Sequence, residues 1–135
     1  MFYCDANNGN GSWCPEMDLM EANKYSFATT PHKCDAPNDK GFYSNCDRNG
    51  IGENVTEQLA WNGYGPGSQY TIDTTQPFHV KVTLGKDGGD NLNSVETVLT
   101  QNGKTQTMTG RDGGYMSNMS SDVANGMAFI VSNWQ

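Results

Sequence analysis

The sequence predicts an all-β protein, an antiparallel β-sandwich with long loops over one face. Three observations predict it. Apolar and polar residues alternate in the second half of the chain, which is the period of a half-buried strand. Asn102-Gly103 sits between two such runs and is the strongest short hairpin signal a sequence offers. The composition is also β-leaning and loop-rich, with 35% apolar residues, 16 Gly, many Asn, Ser and Thr, and few of the better helix formers. A mean hydropathy of -0.69 would by itself suit a disordered chain. The 3 Trp, 6 Tyr, 5 Phe and 4 Cys supply the anchors that disordered chains lack.

Up to about Gly67 there is almost no apolar periodicity, and turn formers follow one another: Asn7-Asn8-Gly9-Asn10-Gly11, Pro37-Asn38-Asp39-Lys40-Gly41, Asn49-Gly50 and Gly63-Tyr64-Gly65-Pro66-Gly67. Loops on this scale inside a domain are usually functional. Val55 to Trp61 is the best helix candidate. Gln69 to Thr74 reads as a strand with Tyr70 and Ile72 on one side. Phe78, Val80, Val82 and Leu84 alternate with His79, Lys81 and Thr83, a strand with one wet face, on which His79 is an exposed position. Val95 to Gln101 and Thr105 to Thr109 form the hairpin around Asn102-Gly103. Gly126 to Ser132 is a continuous apolar run of strand length that reads as buried on both faces. With no internal repeat and no low-complexity linker, residues 1–135 read as a single segment of one domain.

A formal net charge of -7 speaks against binding to nucleic acids or anionic membranes, which need basic patches. Neutral polysaccharides are compatible with it. No run of 18 apolar residues exists to span a membrane, and Met1-Phe2-Tyr3-Cys4-Asp5 lacks the basic start and apolar stretch of a signal peptide. Four Cys, an even number, occur with three Asn-x-Ser/Thr sequons at Asn10, Asn54 and Asn118. Together they favour a secreted, disulfide-bonded, N-glycosylated protein. The rival use of Cys4, Cys14, Cys34 and Cys46 is a zinc site with His32 or His79, which the lack of a close C-x-x-C pair disfavours.

The run Glu16-Met17-Asp18-Leu19-Met20-Glu21 puts three carboxylates within six residues. Crowded acids repel when ionised, so a fold that gathers them drives their pKa values apart. On a strand Glu16 and Asp18 point together, and Glu21 points away unless a bulge brings it back. If it returns, three carboxyls line one cleft, the equipment of a glycoside hydrolase. The plain alternative is a set of solvated loop acids.

The flanking residues weigh against that alternative. Tyr3-Cys4-Asp5, Cys14-Pro15-Glu16-Met17-Asp18-Leu19-Met20-Glu21-Ala22-Asn23, Thr30-Pro31-His32-Lys33-Cys34, Tyr43-Ser44-Asn45-Cys46-Asp47, Tyr64-Gly65-Pro66-Gly67 and Tyr70-Thr71-Ile72-Asp73-Thr74-Thr75 follow in that order. Together they resemble glycoside hydrolase family 7, the cellobiohydrolases and β-1,4-endoglucanases. Gly126 to Trp134 looks like the family's strand leading to a substrate-site Trp.

The resemblance implies a concanavalin-like β-jelly roll and a retaining hydrolysis of a β-1,4-glucan, with no cofactor and no metal. Glu16 matches the nucleophile, Glu21 the acid/base, and Asp18 the acid that hydrogen-bonds and tunes the nucleophile. His32 matches a substrate-binding histidine beside the cleft, and Trp134 a sugar-stacking residue whose other reading is core packing. The family pattern also implies disulfides Cys4–Cys14 and Cys34–Cys46, which would clamp loops flanking the catalytic strand.

Three departures stand out. The chain matches only a middle section of a longer catalytic domain, so the sandwich is expected to be incomplete and to need the remainder of a larger chain or a neighbouring subunit. Met20 replaces the family's usual aromatic before the acid/base, which predicts softer packing beneath the site. Trp13-Cys14 replaces the usual double Cys. Two other functional classes remain open: a carbohydrate-binding or wall protein that kept the fold, and an assembly component with paired sheet edges.

Overall fold

The computed structural model describes residues 4–133. Strands β1 (Glu16–Ala22) and β2 (Phe27–His32) form an antiparallel hairpin, and the short β3 (Glu53–Asn54) adds to the free edge of β2. The hairpin turn is an Asn device: the Asn23 side chain accepts from the backbone N–H of Tyr25 at 2.8 Å and of Ser26 at 2.9 Å. Asn54 then caps α1 (Val55–Gln58) by accepting from Glu57 N–H, so the helix is one turn, shorter than the apolar pattern predicts. The two-residue strands β4 (Tyr64–Gly65) and β5 (Ile72–Asp73) pair in parallel, and β5 is all that remains of the strand expected over Gln69–Thr74.

A second antiparallel sheet follows, in the order β6 (His79–Lys86), β7 (Leu92–Gln101), β8 (Lys104–Gly110). The β7–β8 turn has positive φ at both Asn102 (51°) and Gly103 (76°), the backbone that an Asn-Gly pair is suited to adopt. The chain then forms α2 (Gly113–Met116), a 3₁₀ turn and α3 (Ser120–Asn125), none of which the composition suggests. Asp112 starts this segment by accepting from Tyr115 N–H at 2.9 Å, a local cap that apolar periodicity does not reveal.

The two sheets pack across their inner faces. Phe27 from β2, Val55, Tyr64, Ile72, Leu99 from β7 and Met108 from β8 form one buried cluster, in which the Phe27 and Tyr64 rings meet edge to face at 6.0 Å. Leu92, Val95, Tyr115, Met116 and Met119 form another, with Met17 of β1 packed against it. Between the clusters runs a polar seam of Thr29, Glu53 and Thr97, each with no exposed surface. Disulfides Cys4–Cys14 and Cys34–Cys46 tie the loops that flank β1 and β2, in the pairing that the resemblance implies.

Two expectations are corrected. Strand β6 is more exposed than its alternation predicts: Val80 and Leu84 are each 36% accessible, and Val82 alone packs on the core. It is an edge strand bonded to β7 on one side. The run Gly126–Ser132 is not a buried strand. It leaves α3 without pairing, and Phe129 and Val131 are 81% and 83% exposed. Apolar length signals burial only where a sheet edge is on offer, and among the described residues none receives it.

Candidate active site

The carboxylate strand is built as alternation and one irregularity dictate. Across the hairpin Glu16 faces His32, Asp18 faces Thr30, and Glu21 faces Ala28, with a register shift between Asp18 and Glu21. That shift is a bulge: one extra residue, within Leu19-Met20, restores Glu21 to the side of Glu16 and Asp18. The outward side chains of β2 on this side are Ala28, Thr30 and His32, while Phe27, Thr29 and Pro31 point into the sandwich. Met20, at the bulge, is 55% exposed, so it lies over solvent and not beneath the site.

Each acid has a different partner. Glu16 Oε2 accepts the Ala6 backbone N–H at 2.9 Å. Burial pushes the Glu16 carboxyl above its ordinary range. Asp18 and Asp5 add to that, and the Ala6 N–H and His32 oppose it. Asp18 Oδ2 lies 3.2 Å from His32 Nε2. Glu21 Oε2 accepts the Thr30 hydroxyl at 2.8 Å.

His32 is only 7% exposed, so it stands behind Asp18 more than it presents itself to a ligand. Its Nδ1 lies 3.0 Å from the Asp47 carbonyl, which can only accept, so Nδ1 carries a proton. When Nε2 also carries a proton, the imidazolium donates it to Asp18. Burial pulls the imidazole pKa down. The bonds to Asp18 and Asp47, with the charges of Asp18 and Glu16, outweigh burial and raise it above 6.5.

A support for this histidine escapes the sequence. The Tyr115 hydroxyl donates to Asp47 Oδ2 at 2.9 Å and accepts from Lys33 N–H at 3.1 Å, tying the short helix α2 to the loop that carries the Asp47 carbonyl. Burial tends to raise the Asp47 carboxyl. The bonds from Tyr115 and the backbone of Asn49 and Gly50, together with His32, bring it lower instead. Tyr115 lies 68 residues from Asp47 in sequence, and no motif joins them.

Asp18, Glu21 and His32 each offer a ligand atom within 4.8 Å of one another, so a cation would be held there if anywhere among the described residues. The cysteines are paired as disulfides and do not form the zinc set considered above. Asn10 is exposed. The Asn54 side chain is engaged as a helix cap, and Asn118 is exposed with its amide donating to Gly114 O at 3.0 Å. Trp134 lies outside the described residues.

Two antiparallel sheets thus face each other, with three carboxyls gathered on one side of a bulged strand. Residues 4–121 match the model of glycosyl hydrolase family 7, and the chain belongs to that family. It is 30% identical to endoglucanase 1 of Humicola insolens over 89% of its own length, and it spans about a third (35%) of that curated relative. A mutant of the Humicola insolens endocellulase superposes with a TM-score of 0.68 at 25% identity, covering 91% of this chain and 39% of that one. A family 7 cellobiohydrolase from Daphnia pulex superposes with a TM-score of 0.58 at 30% identity, covering 70% and 25%. An endoglucanase I complexed with cellobiose gives 0.65 at 28% identity, covering 76% and 31%.

Proposed function

We propose that the protein containing this chain is a retaining β-1,4-glucan hydrolase of the cellulase type, with Glu16 as nucleophile and Glu21 as acid/base. The observation that carries the reading is the bulge between Asp18 and Glu21, which puts the third carboxyl on the side of the first two. A retaining site needs two carboxyls about 5 Å apart, one on each side of the scissile bond. Family membership and the cellobiose-bound relative support a β-glucan as substrate.

In this reading Glu16 attacks the anomeric carbon while the Glu21 carboxyl gives its proton to the departing glycosidic oxygen. Glu21, now a carboxylate, takes a proton from water, and the water oxygen displaces Glu16. The Ala6 N–H holds Oε2 of Glu16 and leaves Oε1 to attack. Burial of Glu16 favours its neutral form, so the Ala6 hydrogen bond and the nearby imidazolium have the task of keeping it ionised. Asp18 acts on Glu16 through charge, and the His32 imidazole 3.2 Å from Asp18 acts in the opposite direction. His32 thus serves as a positioning residue for Asp18, and Trp134 as a sugar-stacking platform. No cofactor or metal enters the chemistry. The two disulfides suit a secreted protein, with Asn10, Asn54 and Asn118 as the proposed glycan acceptors.

The test is Glu16→Gln in the full chain. Turnover of a soluble β-glucan should fall by at least about a thousandfold, while calorimetry shows the glucan still binding. Turnover at the parent rate would sink the assignment.

A further inference from the structure

The side of β1 that carries the three acids also faces an acceptor without a donor. His32 is 7% exposed, and its Nδ1 spends its proton on the Asp47 carbonyl, 3.0 Å away. In the neutral imidazole Nε2 is therefore a bare lone pair, and it is aimed at Asp18 Oδ2 from 3.2 Å. Two acceptors that face each other at this distance have nothing to bond with, so the gap calls for positive charge. A proton supplies it in the imidazolium. A divalent cation supplies it too, and it takes lone pairs from both sides at once.

The dimensions suit a small transition-metal ion. Zinc binds imidazole nitrogen and carboxylate oxygen at roughly 2.0–2.2 Å, which sets two ligands of a tetrahedron about 3.3–3.6 Å apart. The Nε2–Oδ2 pair is already close to that spacing. Glu21 brings a third ligand atom to within 4.8 Å of the other two, so a turn of its side chain closes the set. Two carboxylates and a neutral imidazole balance a charge of two. The imidazole is also oriented as metal-bound histidines are, by a carbonyl on its other nitrogen, and the Tyr115 hydroxyl fastens the loop that carries this carbonyl. The Asp18 side chain is 33% exposed, which leaves a route in from solvent. Calcium prefers six to eight oxygen ligands, so one nitrogen and two carboxylates favour zinc over it.

We propose that Asp18, Glu21 and His32 Nε2 form a binding site for a divalent transition-metal ion such as Zn²⁺, and that the ion switches hydrolysis off by occupying the Glu21 carboxylate. The site stands on its own geometry, while the inhibition rests on the reading of Glu21 as the acid/base. No step of the hydrolysis passes through the ion. A Glu21 carboxylate that gives its lone pair to a metal holds no proton for the departing glycosidic oxygen.

The experiment titrates Zn²⁺ into the full chain at pH about 8, where ligating groups have released their protons. Calorimetry reads the affinity, and long-range ¹H–¹⁵N NMR reads the histidine nitrogens without reference to activity. The His32 Nε2 signal should move while Nδ1 keeps its proton, and the signals of His79, exposed on β6, should stay in place. Ca²⁺ should bind at least about tenfold more weakly than Zn²⁺. His32→Gln and Asp18→Asn should each weaken Zn²⁺ binding at least about tenfold. Asp18 is partly exposed, so Asp18→Asn remains informative if His32→Gln folds poorly. Turnover of a soluble β-glucan should fall with the same midpoint as binding and return when a chelator is added. An unmoved His32 Nε2 signal at saturation overturns the site. So does Ca²⁺ binding as tightly as Zn²⁺, or both variants binding Zn²⁺ within about twofold of the parent. Full occupancy with undiminished turnover overturns the inhibition. Failure of the underlying reading shows separately, as turnover of the metal-free chain that survives Glu21→Gln.

Discussion

His32→Gln probes how the carboxylate strand is held. The imidazole is 7% exposed and makes two hydrogen bonds, Nε2 to Asp18 at 3.2 Å and Nδ1 to the Asp47 carbonyl at 3.0 Å. A Gln side chain keeps one neutral donor and loses the charge. A hydrogen bond to a charged group contributes roughly 1.5–3 kcal/mol. The Asp18 side chain is 33% exposed, so solvent screening places the loss at the lower end, about 1.5–2 kcal/mol. The sign with pH follows from the raised pKa of His32, which the Asp18 and Asp47 bonds produce against the opposing effect of burial. A histidine raised on folding contributes its full stabilisation below its unfolded value of about 6.5, and loses it as pH rises through the folded value. Urea unfolding at a series of pH values from roughly 5.5 to 9 should show the gap between parent and variant widest at the acid end and shrinking upward. A gap that is constant across the series, or that widens with pH, refutes the pairing of a charged His32 with Asp18.

Two further outcomes test the packing that positions the site. Phe27→Ala removes a fully buried ring between β2 and Tyr64 and should cost about 3–4 kcal/mol in urea unfolding, against less than about 1 kcal/mol if the inner sheet face were loosely packed. Replacing Cys34 and Cys46 together by Ser opens a loop with a sequence separation of 12 and should lower stability by about 2–4 kcal/mol. Proteolysis of that double variant should begin between residues 34 and 46. Cleavage elsewhere first would show that the bridge does not restrain this loop.

Much of the site was legible because its rules are local. Strand alternation places Glu16 and Asp18 together, and the need for a bulge before Glu21 follows from a period of two; the register shift falls there. The Asn102-Gly103 turn is equally local, since its two positive φ angles belong to the residues themselves. What escaped is set by distant partners. Tyr115 reaches Asp47, and Thr97 meets Thr29, across 68 residues each. The run Gly126–Ser132 misleads for the same reason, because its apolar character does not reveal whether a strand edge waits for it. Glu53 carries no motif, and it becomes notable only once both sheets are seen to enclose it.

The central claim is that Glu16 and Glu21 act as a retaining pair. It is tested most directly by ¹H NMR of the reducing end formed first when the full chain acts on a soluble β-1,4-glucan, recorded before mutarotation. The account predicts that the β-anomer appears first and that no product forms with Glu16→Gln. The α-anomer appearing first, or undiminished product from that variant, would contradict it.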